Sequence, residues 1–160
     1  MRKRVPLFSS SGTTFDNTGA TIETTGTDIV IDHTAAVTIG AALSSGTGNI
    51  EIDTVGLTRV TDAGDITTTT GNVTFGATGT GALSTAGEIT TANGNIVFTR
   101  DTTITSAVTL TTGAGAGNIS FMAVLDGVAG NTDTLSLTAG TGSVTFSDTV
   151  GNGEPLGSLT

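Results

Sequence analysis

Apolar and polar residues alternate in short bursts along this chain, and the bursts return at a fixed interval. Gly48-Asn49-Ile50-Glu51-Ile52 is followed by Gly71-Asn72-Val73-Thr74-Phe75, Gly94-Asn95-Ile96-Val97-Phe98 and Gly117-Asn118-Ile119-Ser120-Phe121. A looser copy is Gly142-Ser143-Val144-Thr145-Phe146, and the glycines are 23, 23, 23 and 25 residues apart. A fixed period of this size marks a repeat whose units cannot bury their apolar faces alone and must stack.

Several columns follow the period. Ile29, Ile50, Val73, Ile96, Ile119 and Val144 form the main one. Ile31, Ile52, Phe75, Phe98, Phe121 and Phe146 lie two residues further on, which on a strand is the same face. Val37, Val60 and Leu83 form another, with Ile104 two residues early; Leu43, Ile66 and Ile89 lead to Leu110 and Leu135. Each repeat therefore holds up to three short alternating segments, such as Val73-Thr74-Phe75, Ala82-Leu83-Ser84 and Glu88-Ile89-Thr90, separated by Gly-rich corners.

This pattern predicts an all-β fold, a parallel β-helix (β-solenoid) with about 23 residues and three short strands per coil. About seven coils at about 4.8 Å each make a rod of about 33 Å. Residues 1–15 read as a basic tail and the lead into the first coil; residues 16–160 read as a single β-helix repeat domain ending in mid-repeat. A β-sandwich, also built from short strands, does not require columns at one period. No segment shows a helical apolar period. Outward files are expected along Thr67, Thr90 and Thr111, and along Thr38, Thr61, Ser84 and Thr105.

Composition narrows the function classes. Gly is 24 of 160 residues, about twice the usual share, and charged residues are 12 %, about half of it. The aromatics are six Phe, with no Trp or Tyr. The net charge is −9, Lys3 is the only lysine, and only Arg59 and Arg100 are basic beyond the first four residues. Phosphate neutralisation needs clustered cations, so no nucleic-acid partner is expected. Absence of Cys excludes a disulfide framework and a Cys-type zinc site. No apolar run approaches the ~20 residues of a membrane span, so no membrane insertion is expected. Met1-Arg2-Lys3-Arg4-Val5-Pro6-Leu7-Phe8 opens like a signal peptide, but its apolar stretch is short and breaks at Ser9-Ser10-Ser11.

Candidate chemistry is sparse. His33 is the only histidine, and its neighbour Asp32 points to the opposite strand face, so a satisfied corner or surface histidine is the expectation. Acidic residues are scattered at Asp53, Asp62, Asp65, Glu88, Asp101, Asp126, Asp133 and Asp148. Asp65 and Glu88 are one period apart; stacked carboxylates can bind a cation weakly or act as an acid/base pair. Sugar-cleaving sites also need basic residues and usually aromatic platforms, and this chain lacks Trp, Tyr and nearly all Lys. The calcium-binding nonapeptide run is absent. Asn72-Val73-Thr74 and Asn118-Ile119-Ser120 match the glycosylation sequon, but the repeat itself generates that match. A stacked Asn ladder at a left-handed corner explains Asn49, Asn72, Asn95 and Asn118 better. Flat Thr files also suit ice or glycan binding. No catalytic, cofactor-binding or metal-ligating residue is singled out, no cofactor is implied, and the chain is not expected to be an enzyme.

The run Leu135-Ser136-Leu137-Thr138-Ala139-Gly140-Thr141-Gly142-Ser143-Val144-Thr145-Phe146, with Val150-Gly151-Asn152-Gly153-Glu154-Pro155-Leu156-Gly157-Ser158-Leu159-Thr160 after it, resembles the repeats of filamentous-haemagglutinin-like bacterial surface proteins. The likeness covers roughly residues 20–160. It implies a secreted, extracellular or cell-surface β-helical rod, the structural part of an adhesin, with the cell surface or matrix as a possible contact. Neither the secretion domain of that family nor a convincing signal peptide is read here, which leaves open a segment of a giant protein or a short subunit. The C-terminal Leu156-Gly157-Ser158-Leu159-Thr160 is apolar and strand-like, while Arg2-Lys3-Arg4 is basic on an acidic chain. Head-to-tail self-stacking into a filament, the basic tail against an acidic neighbour, is the expected partnership; a monomeric piece of a longer rod is the alternative.

Overall fold

The computed structural model describes residues 7–76 and 81–160; Arg2, Lys3 and Arg4 lie outside the described residues. Every regular element among these is a strand, and every strand pairing is parallel. Three sheets run the length of the stack. The first holds Phe8–Gly12, Ile29–His33, Ile50–Thr54, Val73–Phe75, Ile96–Phe98, Ile119–Phe121 and Val144–Phe146. The second holds Phe15–Asp16, Val37–Ile39, Thr58–Val60, Leu83–Thr85, Thr102–Ile104 and Leu125–Asp126. The third holds Ile22–Glu23, Leu43–Gly46, Ile66–Thr68, Ile89–Thr90, Ala107–Thr111, Thr134–Thr138 and Ser158–Leu159.

The chain visits the sheets in turn, so it is a β-solenoid. Six coils have all three strands; a seventh has strands in the first and third sheets and a single bridge, Leu125 to Val150, in the second. Its first coil is already under way at Phe8–Gly12, which pairs with Ile29–His33 inside the segment read as tail and lead-in. The parallel ladders leave no place for a sandwich.

The main column is in register throughout: Phe8, Ile29, Ile50, Val73, Ile96, Ile119 and Val144 follow one another. Between Ile29 and Ile119 it is fully buried. Each such side chain contributes about 1.5–3 kcal/mol of burial. Beside it Phe75, Phe98, Phe121 and Phe146 stack with centroids 5.2, 4.5 and 5.4 Å apart and nearly parallel planes.

The second sheet corrects the sequence reading. Val37 pairs with Thr58, not Val60; Thr58 pairs with Leu83, and Leu83 with Thr102. Ile39, Val60, Thr85 and Ile104 make the companion column. Corner lengths cause the offset. Five residues (53–57) separate Ile52 from Thr58, seven (76–82) separate Phe75 from Leu83, and three (99–101) separate Phe98 from Thr102. Later corners compensate, so the first sheet keeps its 23-residue period from Ile50 to Ile119. The inward columns therefore mix aliphatic residues with Thr58, Thr85 and Thr102, all buried.

Two further readings change for the same reason. The outward file of this sheet is Thr38, Arg59, Ser84 and Thr103; Thr61 and Thr105 sit past their strands and donate to the Ile39 and Thr85 carbonyls of the preceding coil. In the third sheet Leu110 is followed by Leu137, while Leu135 pairs with Val108. The expected Thr67, Thr90 and Thr111 file is in register and extends to Ser44 and Thr138.

Candidate functional site

The densest polar construction lies where the third sheet turns into the first, and it is built from three aligned files. On the inside, Ser45, Thr68, Thr91 and Thr112 are buried, and each hydroxyl donates to the carbonyl of the corner glycine: Gly48, Gly71, Gly94 and Gly117. A buried carbonyl without a partner costs about 1–3 kcal/mol, so these hydroxyls are structural necessities. The glycines form the middle file. A Cβ on Gly71 would overlap the Gly48 carbonyl oxygen, and one on Gly94 the Gly71 oxygen. Close approach of successive backbones, not a left-handed turn, selects glycine there.

Asn forms the outer file. The Asn72 N–H donates to Asn49 Oδ1 at 2.9 Å, Asn95 N–H to Asn72 Oδ1 at 2.8 Å and Asn118 N–H to Asn95 Oδ1 at 2.8 Å. Asp28 begins the ladder below Asn49 at 2.8 Å, and Ser143 ends it above Asn118 at 2.9 Å. The ladder is present, but not in left-handed backbone: among the described residues the only non-glycine with positive φ is Asn131, at 52°. Each side-chain oxygen instead supplies the acceptor that a strand beginning at a corner lacks for its first N–H.

Carboxylates do the same work elsewhere. Asp65 and Glu88 do stack, and the Glu88 N–H donates to Asp65 Oδ1 at 3.0 Å. Asp101 accepts from Val124 N–H at 3.3 Å, and Asp126 from Gly153 N–H at 3.1 Å. At Asp16, hydrogen bonds from the Thr18 side chain and backbone hold the carboxyl below its ordinary range.

His33 faces inward near one end of the stack. It is buried, its Nε2 lies 3.0 Å from Ser10 Oγ, its ring packs at 5.6 Å on Phe15, and Nδ1 has no partner. Among the described residues no carboxylate is hydrogen-bonded to the imidazole, so there the Ser10–His33 contact lacks the third group that would orient a base. Sequence reasoning missed that three ionisable residues, Arg100, Asp53 and Asp133, are buried. Arg100 pairs with Asp53 two coils away, Nη2 to Oδ1 at 2.8 Å, and donates to Thr54 O at 3.0 Å. Burial lowers the Arg100 pKa, against the opposing pull of Asp53. Asp133 is fully buried, accepts weakly from Val128 N–H at 3.3 Å, and leaves Oδ2 unpaired. The separation of 47 positions hides the first pair from any local motif.

These groups do not converge. Among the described residues no group of three His, Cys, Asp or Glu is placed to hold a metal ion. No helix among them is long and apolar enough to cross a membrane. The Asn and Asp side chains described here join one coil to the next, while the hydroxyls of the inner file close their own corner. No family model, curated protein or solved structure matches this chain.

Proposed function

We propose that this chain is a non-catalytic structural protein, a β-solenoid rod that works outside the cell as a fibre element or as the shaft of a surface adhesin. One observation carries the reading: the acceptor side chains of Asp28, Asn49, Asn72, Asn95 and Asn118 are committed to the backbone of the following coil. A site must spare polar groups for its ligand; this molecule spends them on its own continuity. The repeat likeness to haemagglutinin-type rods supports the extracellular placement.

The test is localisation. Antibody against the chain should label intact cells of the organism that encodes it, at structures projecting from the surface. Labelling that appears only after permeabilisation would overturn the proposal.

One observation favours a second reading, ligand binding to ice or glycan. Ser44, Thr67, Thr90, Thr111 and Thr138 form an in-register outward file. Its neighbours on the same face change character, from Asp65 and Glu88 to Thr109 and Ser136. Ice-recrystallisation and glycan-array binding that vanish when Thr67, Thr90 and Thr111 become Glu would establish it.

A further inference from the structure

The corners that lead from the second sheet to the third are of uneven length. Seven residues (127–133) lie between Leu125–Asp126 and Thr134–Thr138, and seven (151–157) between Val150 and Ser158–Leu159. The earlier corners of this edge hold two to five. The two long corners are stacked, and the Gly127 N–H donates to the Glu154 carbonyl at 2.8 Å. Asp133 closes the lower corner and is fully buried. Its Oδ1 accepts one long bond, from Val128 N–H at 3.3 Å, while Oδ2 has no hydrogen-bond partner among the described residues. Oδ2 borders the space beside Gly127, and so does the Pro155 carbonyl oxygen of the next coil. The two oxygens lie 2.5 and 2.6 Å from the position a Gly127 Cβ would take. Among the described residues the one ion pair is Arg100 with Asp53, so no side-chain cation offsets the charge of Asp133.

A carboxylate is kept ionised in an interior by an opposite charge or a metal ion. We propose that a calcium ion binds between these two corners, held by Asp133 Oδ2 and Pro155 O and completed by water. It ties the sixth coil to the seventh. Both protein donors are oxygen, which selects a hard cation over zinc or copper. Calcium accepts about six to eight oxygens in irregular geometry, whereas magnesium demands a near-ideal octahedron. A mixed pair of carboxylate and carbonyl on two separate corners suits the former. A single carboxylate makes a weak site, of the class with Kd about 10⁻⁴–10⁻³ M. Glycine at 127 follows from the same arrangement, since any side chain would fill the space that the two oxygens border. This site goes beyond the rod reading and does not rest on it.

Calorimetric titration of the full chain, stripped with EDTA and then given calcium chloride, tests this. The expected result is one ion bound per chain and a higher melting midpoint by circular dichroism at millimolar calcium. Magnesium chloride at the same concentration should raise the midpoint less. Asp133→Asn keeps the shape of the side chain and removes its charge, and should weaken calcium binding at least tenfold. Asp65→Asn makes the same charge change at an exposed corner and should bind like the parent chain. Should Asp133→Asn fail to fold, amide NMR of the parent chain decides: calcium should move the signals of Gly127, Val128 and Asp133 most. Four results would overturn the proposal. They are no response at millimolar calcium, binding undiminished in Asp133→Asn, shifts centred on exposed acids such as Asp62 and Asp65, and a protonated Asp133 carboxyl indifferent to calcium. Localisation is a separate readout, so a chain that ignores calcium leaves the extracellular rod reading in place.

Discussion

Arg100 reaches past a whole intervening coil to Asp53, 2.8 Å away, through a gap that exists because residue 76 is glycine: a Cβ there would overlap the guanidinium. The side chains are 3 and 9 % exposed. Breaking a buried ion pair from one side is costly, so Arg100→Met should lose about 3–5 kcal/mol in urea unfolding. The double variant Arg100→Met, Asp53→Asn should lose less than Arg100→Met alone. A double variant at least as unstable as the single would show that lost packing, not the broken ion pair, dominates.

Gly94→Ala tests the close approach of coils. The added methyl overlaps the Gly71 carbonyl oxygen and forces neighbouring coils apart, a loss of about 1–3 kcal/mol or more. Gly19→Ala has open space and a φ of +79°, so only the local strain of about 1–2 kcal/mol applies. Denaturant midpoints should rank Gly94→Ala as the more damaging; the reverse order would mean that the coils yield.

Thr91→Val keeps shape and deletes the hydroxyl that satisfies the Gly94 carbonyl. The expected loss is about 1–3 kcal/mol, because the carbonyl stays buried without a partner. Hydrogen exchange should report where: protection should fall first at Ile96 and Val97. Uniform loss along the whole rod would argue for global rather than local opening.

Asp16 has its carboxyl pKa lowered by Thr18. A lowered folded pKa contributes stability above the unfolded value, and that contribution disappears as pH falls through the folded value. Carbon-detected titration should find Asp16 ionising at lower pH than an ordinary aspartate, and Thr18→Ala should move it upward. No movement on that substitution would remove the Thr18 hydroxyl as a cause and leave the backbone N–H.

The first sheet was legible because its signal is rigidly spaced. Gly-Asn-Ile-x-Phe places an approach point, an acceptor and two inward side chains in five residues, and it keeps all of them even where the corner before it lengthens by two, between Thr112 and Gly117. Thr58, Thr85 and Thr102 defeated the same logic. Thr is equally at home outside a strand, and corner exchanges of two residues move Leu83 opposite Thr58 while preserving the overall count. His33 turned out buried rather than superficial for a local reason: it follows Ile29 and Ile31 at even spacing, so it shares their face. Arg100 gave no cue, since a cation beside Asp101 reads as a surface pair until the coils are stacked.

Trading of length between corners also bears on how such a chain can grow over generations. A segment of one period, cut at a corner glycine such as Gly117 and copied in tandem, would present the same glycine, asparagine and inward columns to the coils on either side. Lengthening by duplication keeps these files aligned wherever the added coil does not part the Asp53–Arg100 pair, and a two-residue slip is absorbed at the next bend. Rod length is thereby uncoupled from sequence elsewhere and can drift freely under selection for reach.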